Sequence, residues 1–184
     1  RRGFFETREH RSMVTIRAER DDDRRAVFEL NQDVFATDAE ARLVDALRSE
    51  AIPAISVVAE VDDAIVGHIF FSPVTIGGRG GDLRIMGLAP MAVQEKFQRQ
   101  GIGRQLVEKG LKTCQEAGTD LVFVLGHPDY YPKFGFQPVA PLGLHYADPK
   151  LDVSFFVKEL KAEALQGVVG TVTYHPVFDR AFEV

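Results

Sequence analysis

The chain has 184 residues, 45% hydrophobic and 27% charged, which is enough apolar material for one packed domain and excludes a disordered polymer. Lys and Arg number 22 against 27 Asp and Glu, a formal charge of −5, so the balance gives no reason to expect a nucleic-acid partner. The single cysteine, Cys114, excludes an intramolecular disulfide and argues against a cysteine-based metal site, so no metal is expected.

No apolar run approaches the ~18 residues of a membrane span, so no membrane partner is expected. RRGFFETREHRS, residues 1–12, has four Arg and lacks the apolar stretch of a secretory signal. It reads as an N-terminal extension or an expression remnant, ahead of a single domain over 13–184 in a cytoplasmic protein.

In chain order, MVTIR (13–17) alternates and predicts a first strand. DDDRRAVFELNQDVF (21–35) predicts a helix, with Asp21, Asp22 and Asp23 set to cap it and complement its dipole. AEARLVDALRSE (39–50) predicts a second helix, since Leu43 and Leu47 stand four apart and Pro53 follows its end. ISVVAEV (55–61) and IVGHIFFSPVTI (65–76) are apolar and β-branched around DDA, the pattern of a hairpin. GGRGG (77–81) reads as a flexible turn. LRIMGLAPMAV (83–93) predicts another strand. Pro90 cannot donate to a ladder there, so it marks an edge, a bulge or a place where neighbouring strands separate.

From Gly101 to Ala117 the spacing is helical. Ile102, Leu106, Leu111 and Cys114 form one stripe, which makes Cys114 a small buried hydrophobe, and Arg104, Glu108, Lys112 and Glu116 form the other. Gly118 suits the position just past the helix end. LVFVL (121–125) is uninterrupted apolar, as in a strand buried on both faces. GHPDYYPKFGF (126–136) reads as a short aromatic-rich turn or helix, and strands near 151–157 and 168–175 complete the chain. Strand 83–93, helix 101–117 and strand 121–125 form a β-α-β unit, whose strands should be parallel with a right-handed crossover. The hairpin should be antiparallel. The expected fold class is α/β (α+β), a mixed sheet with helices on both faces.

QRQGIG (98–103) puts two glycines at the mouth of a helix, where glycine costs conformational entropy. A helix N-terminus offers unpaired N–H groups and the positive end of the dipole, so it suits a phosphate, and glycines let the amides approach it. A tight strand-to-helix turn would also explain them. Two familiar phosphate loops fail: the dinucleotide pattern needs a glycine where Leu106 stands, and nothing after Gly103 supplies the Lys-Ser/Thr of a P-loop.

Gln98-Arg99-Gln100-Gly101-Ile102-Gly103 resembles the (Arg/Gln)-x-x-Gly-x-(Gly/Ala) signature of the GNAT superfamily, the GCN5-related N-acetyltransferases. Leu88 to Val93 resembles the strand that family places before its loop, and Tyr130 to Phe136 its later Tyr-x-x-x-Gly-Phe element. The resemblance runs from about Met13 onward. It implies a mostly antiparallel central sheet of about seven strands with a splayed parallel pair in the middle. It also implies that backbone amides from Arg99 to Arg104 cradle the pyrophosphate of acetyl-CoA, the co-substrate, with Gln98 part of that signature. Arg99 and Arg104 could add charge-assisted contacts, a solvated face being the alternative. Pantetheine would run beside Met91, Ala92 and Val93. Dimers are frequent in such folds, so a homodimer is one expectation.

Acetyl transfer to an amine needs a neutral amine, a donor for the oxyanion and a proton for the thiolate. Main-chain N–H near Val93 could serve the oxyanion. Tyr131 matches the motif tyrosine and is expected to be the general acid; a phenol pKa of roughly 10 lies near that of an alkyl thiol. Tyr130 is the reserve. A lysine-like acceptor is neutral only about once in 2,500 at pH 7, a penalty of roughly 4.6 kcal/mol. Glu60, His68 and His127 are candidates for the base, while His145 and His175 have no motif to recommend them. The expected function is acetyl-CoA-dependent transfer to a primary amine, on a small molecule or a protein; the rival is a CoA-binding sensor without turnover. The acceptor would be chosen by the first helices, the turn at 77–81 and the segment 137–150.

Overall fold

The computed structural model describes residues 13–79 and 82–182; the segment 1–12 and the last two residues of the 77–81 turn lie outside them. β1 (Val14–Ala18) leads through a 3-10 turn at Asp21–Asp23 into α1 (Arg24–Val34), and α2 (Ala39–Glu50) follows on the Leu43/Leu47 stripe. β2 (Ile55–Val61) and β3 (Ala64–Pro73) form the hairpin, then come β4 (Thr75–Arg79) and β5 (Ile85–Val93). α3 (Ile102–Glu116), β6 (Leu121–Leu125), β7 (Gln137–Pro138), β8 (Leu144–Tyr146), β9 (Phe155–Glu159), β10 (Val169–Thr173) and α4 (Val177–Phe182) complete the order.

Seven strands make the main sheet in the order β1-β2-β3-β5-β6-β9-β7, antiparallel throughout except for the central β5–β6 pair. Side chains alternate across it. Ile69 and Phe71 of β3 and Val122 and Val124 of β6 meet Leu106 and Val107 of α3. Phe70 faces the other way, into a core with Val27 of α1 and Leu43 and Leu47 of α2. Cys114 is fully buried, and burial pushes its thiol up to about 12. Among the described residues, no helix is long and apolar enough to cross a membrane.

Several expected boundaries shift. The run 65–76 divides: β3 ends at Pro73, the Val74 amide bonds the Ile85 carbonyl at 3.1 Å, and Thr75 to Arg79 enters a second sheet, β4-β10-β8. Gly77 is therefore in a strand, paired with Thr171, instead of a flexible turn. Leu151 to Ser154 lies in a 3-10 turn begun by Pro149, so that strand starts at Phe155. The Asp23 carboxylate does not cap α1; it accepts from the Arg20 amide at 2.7 Å and from Arg17.

Candidate active site

β5 and β6 run side by side only from Ile85–Leu88 against Leu121–Val124. β5 continues to Val93 while β6 stops at Leu125, so Ala89–Val93 keeps β3 on one side and has no strand along its other edge. The parting has a local cause. Met91 faces Ile69 and Leu88 faces Phe71, so β5 advances three residues while β3 advances two. The extra residue falls at Ala89–Pro90, a bulge that bends the strand where Pro90 has no N–H to lose.

From Val93 the chain turns through Glu95–Phe97 into the loop ahead of α3. Arg99 (φ +59°) and Gly101 (φ +84°) both have left-handed backbone, the kind of local reversal that turns successive N–H groups toward one point. Among the described residues, no amide from Arg99 to Arg104 donates to a backbone carbonyl; Gln105 is the first, bonding Gly101 at 3.1 Å. The first turn of α3 carries no acidic side chain. Open amides and the positive end of a helix dipole together suit an anion.

Gly101 is required by its backbone: a Cβ would meet nothing within 4 Å, but the conformation strains any L residue. Gly103 differs. A Cβ there would stand 3.1 Å from the Tyr130 hydroxyl. The bare backbone at Gly103 therefore also leaves room for the Tyr130 hydroxyl.

Two glutamines brace the loop against the chain before it. Gln98 Nε2 donates to the Val93 carbonyl and Gln100 Nε2 to the Lys96 carbonyl, each at 2.9 Å. Ile102 is buried against α3's own core stripe, leaving only its main chain to face the loop. Arg104 Nε pairs with Glu108 at 2.8 Å along the exposed side of α3, and Arg99 is exposed. Met91 and Val93 are half-buried and Ala92 is buried.

A cavity of about 820 Å³ opens where the strands part. Leu88, Ala89, Pro90 and Met91 of β5, Leu125 of β6 and Tyr131 are among its lining residues. Tyr131 begins a 3-10 turn, Tyr131–Phe134, and its ring covers Gly126, where a Cβ would overlap it. Edge contacts from Tyr130 and Phe136, with centroids 5.1 and 5.7 Å away, fix the ring. Burial, with a smaller effect of Tyr130, holds the Tyr131 phenol well above its ordinary range. The two tyrosines are thereby placed differently. The hydroxyl of Tyr130 rests beside Gly103, while the ring of Tyr131 faces the cavity.

A model of the acetyltransferase (GNAT) domain matches residues 15–139. The chain is 42% identical over 147 residues to the uncharacterized N-acetyltransferase YhbS of Escherichia coli K12, covering 79% of this chain and 87% of that protein. The chain belongs to the GNAT acetyltransferase family. The crystal structure of E. coli YhbS in complex with CoA superimposes with a TM-score of 0.86 at 38% identity, over 92% of this chain and 93% of that one. A GNAT acetyltransferase from Brucella melitensis in complex with acetyl-CoA gives 0.73 at 31% identity, over 91% and 99%. The fold expected from the sequence, down to seven strands with one parallel splayed pair, is the fold observed, and the protein is an N-acetyltransferase of this family.

Within this GNAT frame the candidate bases lie apart from the cavity. Glu60 takes Arg17 Nη2 at 2.5 Å, and Arg17 also grips Asp23 at 2.6 Å, which lowers the Asp23 carboxyl. His68 is fully buried: Asn31 Nδ2 stands 3.3 Å from its Nδ1 and Ser56 Oγ 2.9 Å from its Nε2. Since an amide nitrogen can only donate, Nδ1 accepts and Nε2–H donates to Ser56, whose hydroxyl donates to Glu19. Burial, then the Arg48 charge, pulls His68 down to about 3. It is a neutral structural histidine. His127 is exposed just past β6, its carbonyl accepting from the Tyr130 amide at 3.1 Å.

Two acidic residues are not singled out by the sequence patterns. Glu40 of α2 and Asp179 of α4 line the same cavity as Tyr131. Glu40 precedes Leu43 by three and Leu47 by seven, so the helical stripe carried a signal that it faces inward. Asp179 had none, because no helix was expected at 177–182.

Proposed function

We propose that the protein moves the acetyl group of acetyl-CoA directly to a primary amine, with Tyr131 as general acid to the CoA thiolate. The observation that carries this reading is one continuous path. Open amides at Arg99–Arg104 adjoin the unladdered edge Ala89–Val93, and Gln98 ties the two together at 2.9 Å. The loop amides suit the diphosphate. The free edge at Ala92 and Val93 suits the pantetheine arm, whose amides can add to a sheet as a short strand would. The CoA and acetyl-CoA complexes of the two related structures support the same co-substrate here.

Acetyl-CoA supplies an activated thioester. A main-chain N–H near Val93 stabilises the negative charge that develops on its carbonyl oxygen. Tyr131, with its proton held firmly by burial, gives it to the departing sulfur. The same low-dielectric surroundings raise the proton affinity of a thiolate, so the transfer runs between two groups shifted alike.

The test mixes the protein with acetyl-CoA and a panel of primary amines. Free thiol and acetylated amine are followed together. Equal, amine-dependent formation of both is expected, with a large fall in kcat for Tyr131→Phe. A protein that binds CoA yet releases no thiol with any amine would contradict the proposal.

A further inference from the structure

The aromatic and acidic lining of the cavity has its own chemistry. Phe35, Tyr131, Tyr146, Tyr174, Phe178 and Phe182 surround it, and among the described residues that line it none is basic. Its two charged groups are the carboxylates of Glu40 and Asp179. Glu40 Oε2 is shielded from solvent and has no hydrogen-bond partner among the described residues, a costly state for a carboxylate oxygen unless a cation meets it. Tyr146, which also lines the cavity, has its phenol raised first by burial and then by the nearby charges of Asp179 and Asp148. A volume of about 820 Å³ holds the end of a pantetheine arm with a small organic molecule beside it.

Resting on the acetyltransferase reading above, we infer that the acceptor is a hydrophobic monoamine, an ammonium on an aryl or alkyl body, held and deprotonated by Glu40. Aromatic walls cover the body and attract the cation through their ring faces. A sugar amine or polyamine would leave hydroxyls or extra charges against apolar walls.

The step balances. The ammonium gives one proton to the Glu40 carboxylate, and the freed lone pair forms the N–C bond as the C–S bond breaks. The sulfur takes the Tyr131 proton. The second nitrogen proton restores the phenol, and Glu40 loses its proton to solvent.

The experiment compares 2-phenylethylamine, n-hexylamine, glucosamine, spermidine and a lysine-containing peptide as acceptors with saturating acetyl-CoA. The two hydrophobic amines should exceed the others in kcat/KM by about tenfold or more, on burial of their apolar bodies. Glu40→Gln should raise KM for 2-phenylethylamine about 10- to 150-fold, the loss of a hydrogen bond to a charged group. It should also lower kcat about 10²- to 10⁴-fold, the loss of the proton acceptor. CoA affinity measured by calorimetry should stay unchanged, which also establishes that the variant is folded. Asp179→Asn should shift the same KM in the same direction by less. Preference for glucosamine, spermidine or the peptide would overturn the amine class and leave acetyl transfer standing. An unchanged amine KM in Glu40→Gln would remove Glu40 from the site. Silence toward every amine would sink this inference and the acetyltransferase proposal together.

Discussion

The side-chain amide of Gln98 donates to the carbonyl of Val93 at 2.9 Å, joining the loop before α3 to the last residue of β5. One bond thus couples the proposed diphosphate cradle to the proposed pantetheine edge. Gln98→Ala should raise the CoA Kd about two- to tenfold, the worth of a neutral hydrogen bond, with kcat nearly unchanged. Calorimetry and initial rates separate the two effects, and a fall in kcat at constant Kd would assign Gln98 to the chemistry instead.

Gly101 and Gly103 should respond differently to the same substitution. Gly101→Ala forces a side chain into φ +84°, at a cost of about 1–2 kcal/mol, and should lower Tm and weaken CoA binding together. Gly103→Ala would bring a Cβ to 3.1 Å from the Tyr130 hydroxyl and 3.9 Å from Val93 Cγ2, contacts relieved by a shift of a few tenths of an ångström. It gains up to about 0.8–1.0 kcal/mol of helix propensity. Its Tm should be level or higher. Thermal melts with and without CoA check both.

Tyr131→Phe should lower kcat about 10²- to 10⁴-fold, the usual worth of a positioned acid, and change the CoA Kd little. Tyr130→Phe should have the smaller effect on kcat, because its hydroxyl rests beside Gly103. Burial raises the Tyr131 phenol, so the protonated form persists to higher pH. A pH profile of kcat should show no alkaline loss from this group below about pH 10.

Where patterns were long and uninterrupted, the chain could be read directly. α2 and β6 fall on 39–50 and 121–125 as expected, and Pro90 marks the strand separation that its missing N–H suggested. Sequence and structure differ where one apolar run serves two elements. Val74 sits between strands of different sheets, and the local mark of the break is Pro73, which cannot donate to a ladder and ends β3. β8 spans three residues and is held by distant pairing with β10, a relation that no local pattern encodes. The acceptor wall was hidden for a similar reason. Tyr146, Asp179 and Glu40 converge from segments far apart along the chain, so only tertiary structure brings them to one cavity.

His68 should set part of the acid sensitivity of folding. Its folded pKa is about 3 against an unfolded value near 6.5. As pH falls below about 6.5 the unfolded chain binds a proton that the folded chain refuses until about 3, so stability is lost across that window. The slope approaches about 1.4 kcal/mol per pH unit. Urea unfolding between pH 6.5 and 4.5 should show the decline, and His68→Gln should flatten it. An equal decline in both proteins would mean that His68 is not the group responsible.

The most direct test of the central claim is a crystal structure of the protein grown with CoA. The account predicts the diphosphate oxygens within hydrogen-bond distance of main-chain nitrogens between Arg99 and Arg104, with pantetheine alongside Ala92 and Val93. A diphosphate bound elsewhere, or held only by the Arg99 and Arg104 side chains, would contradict it.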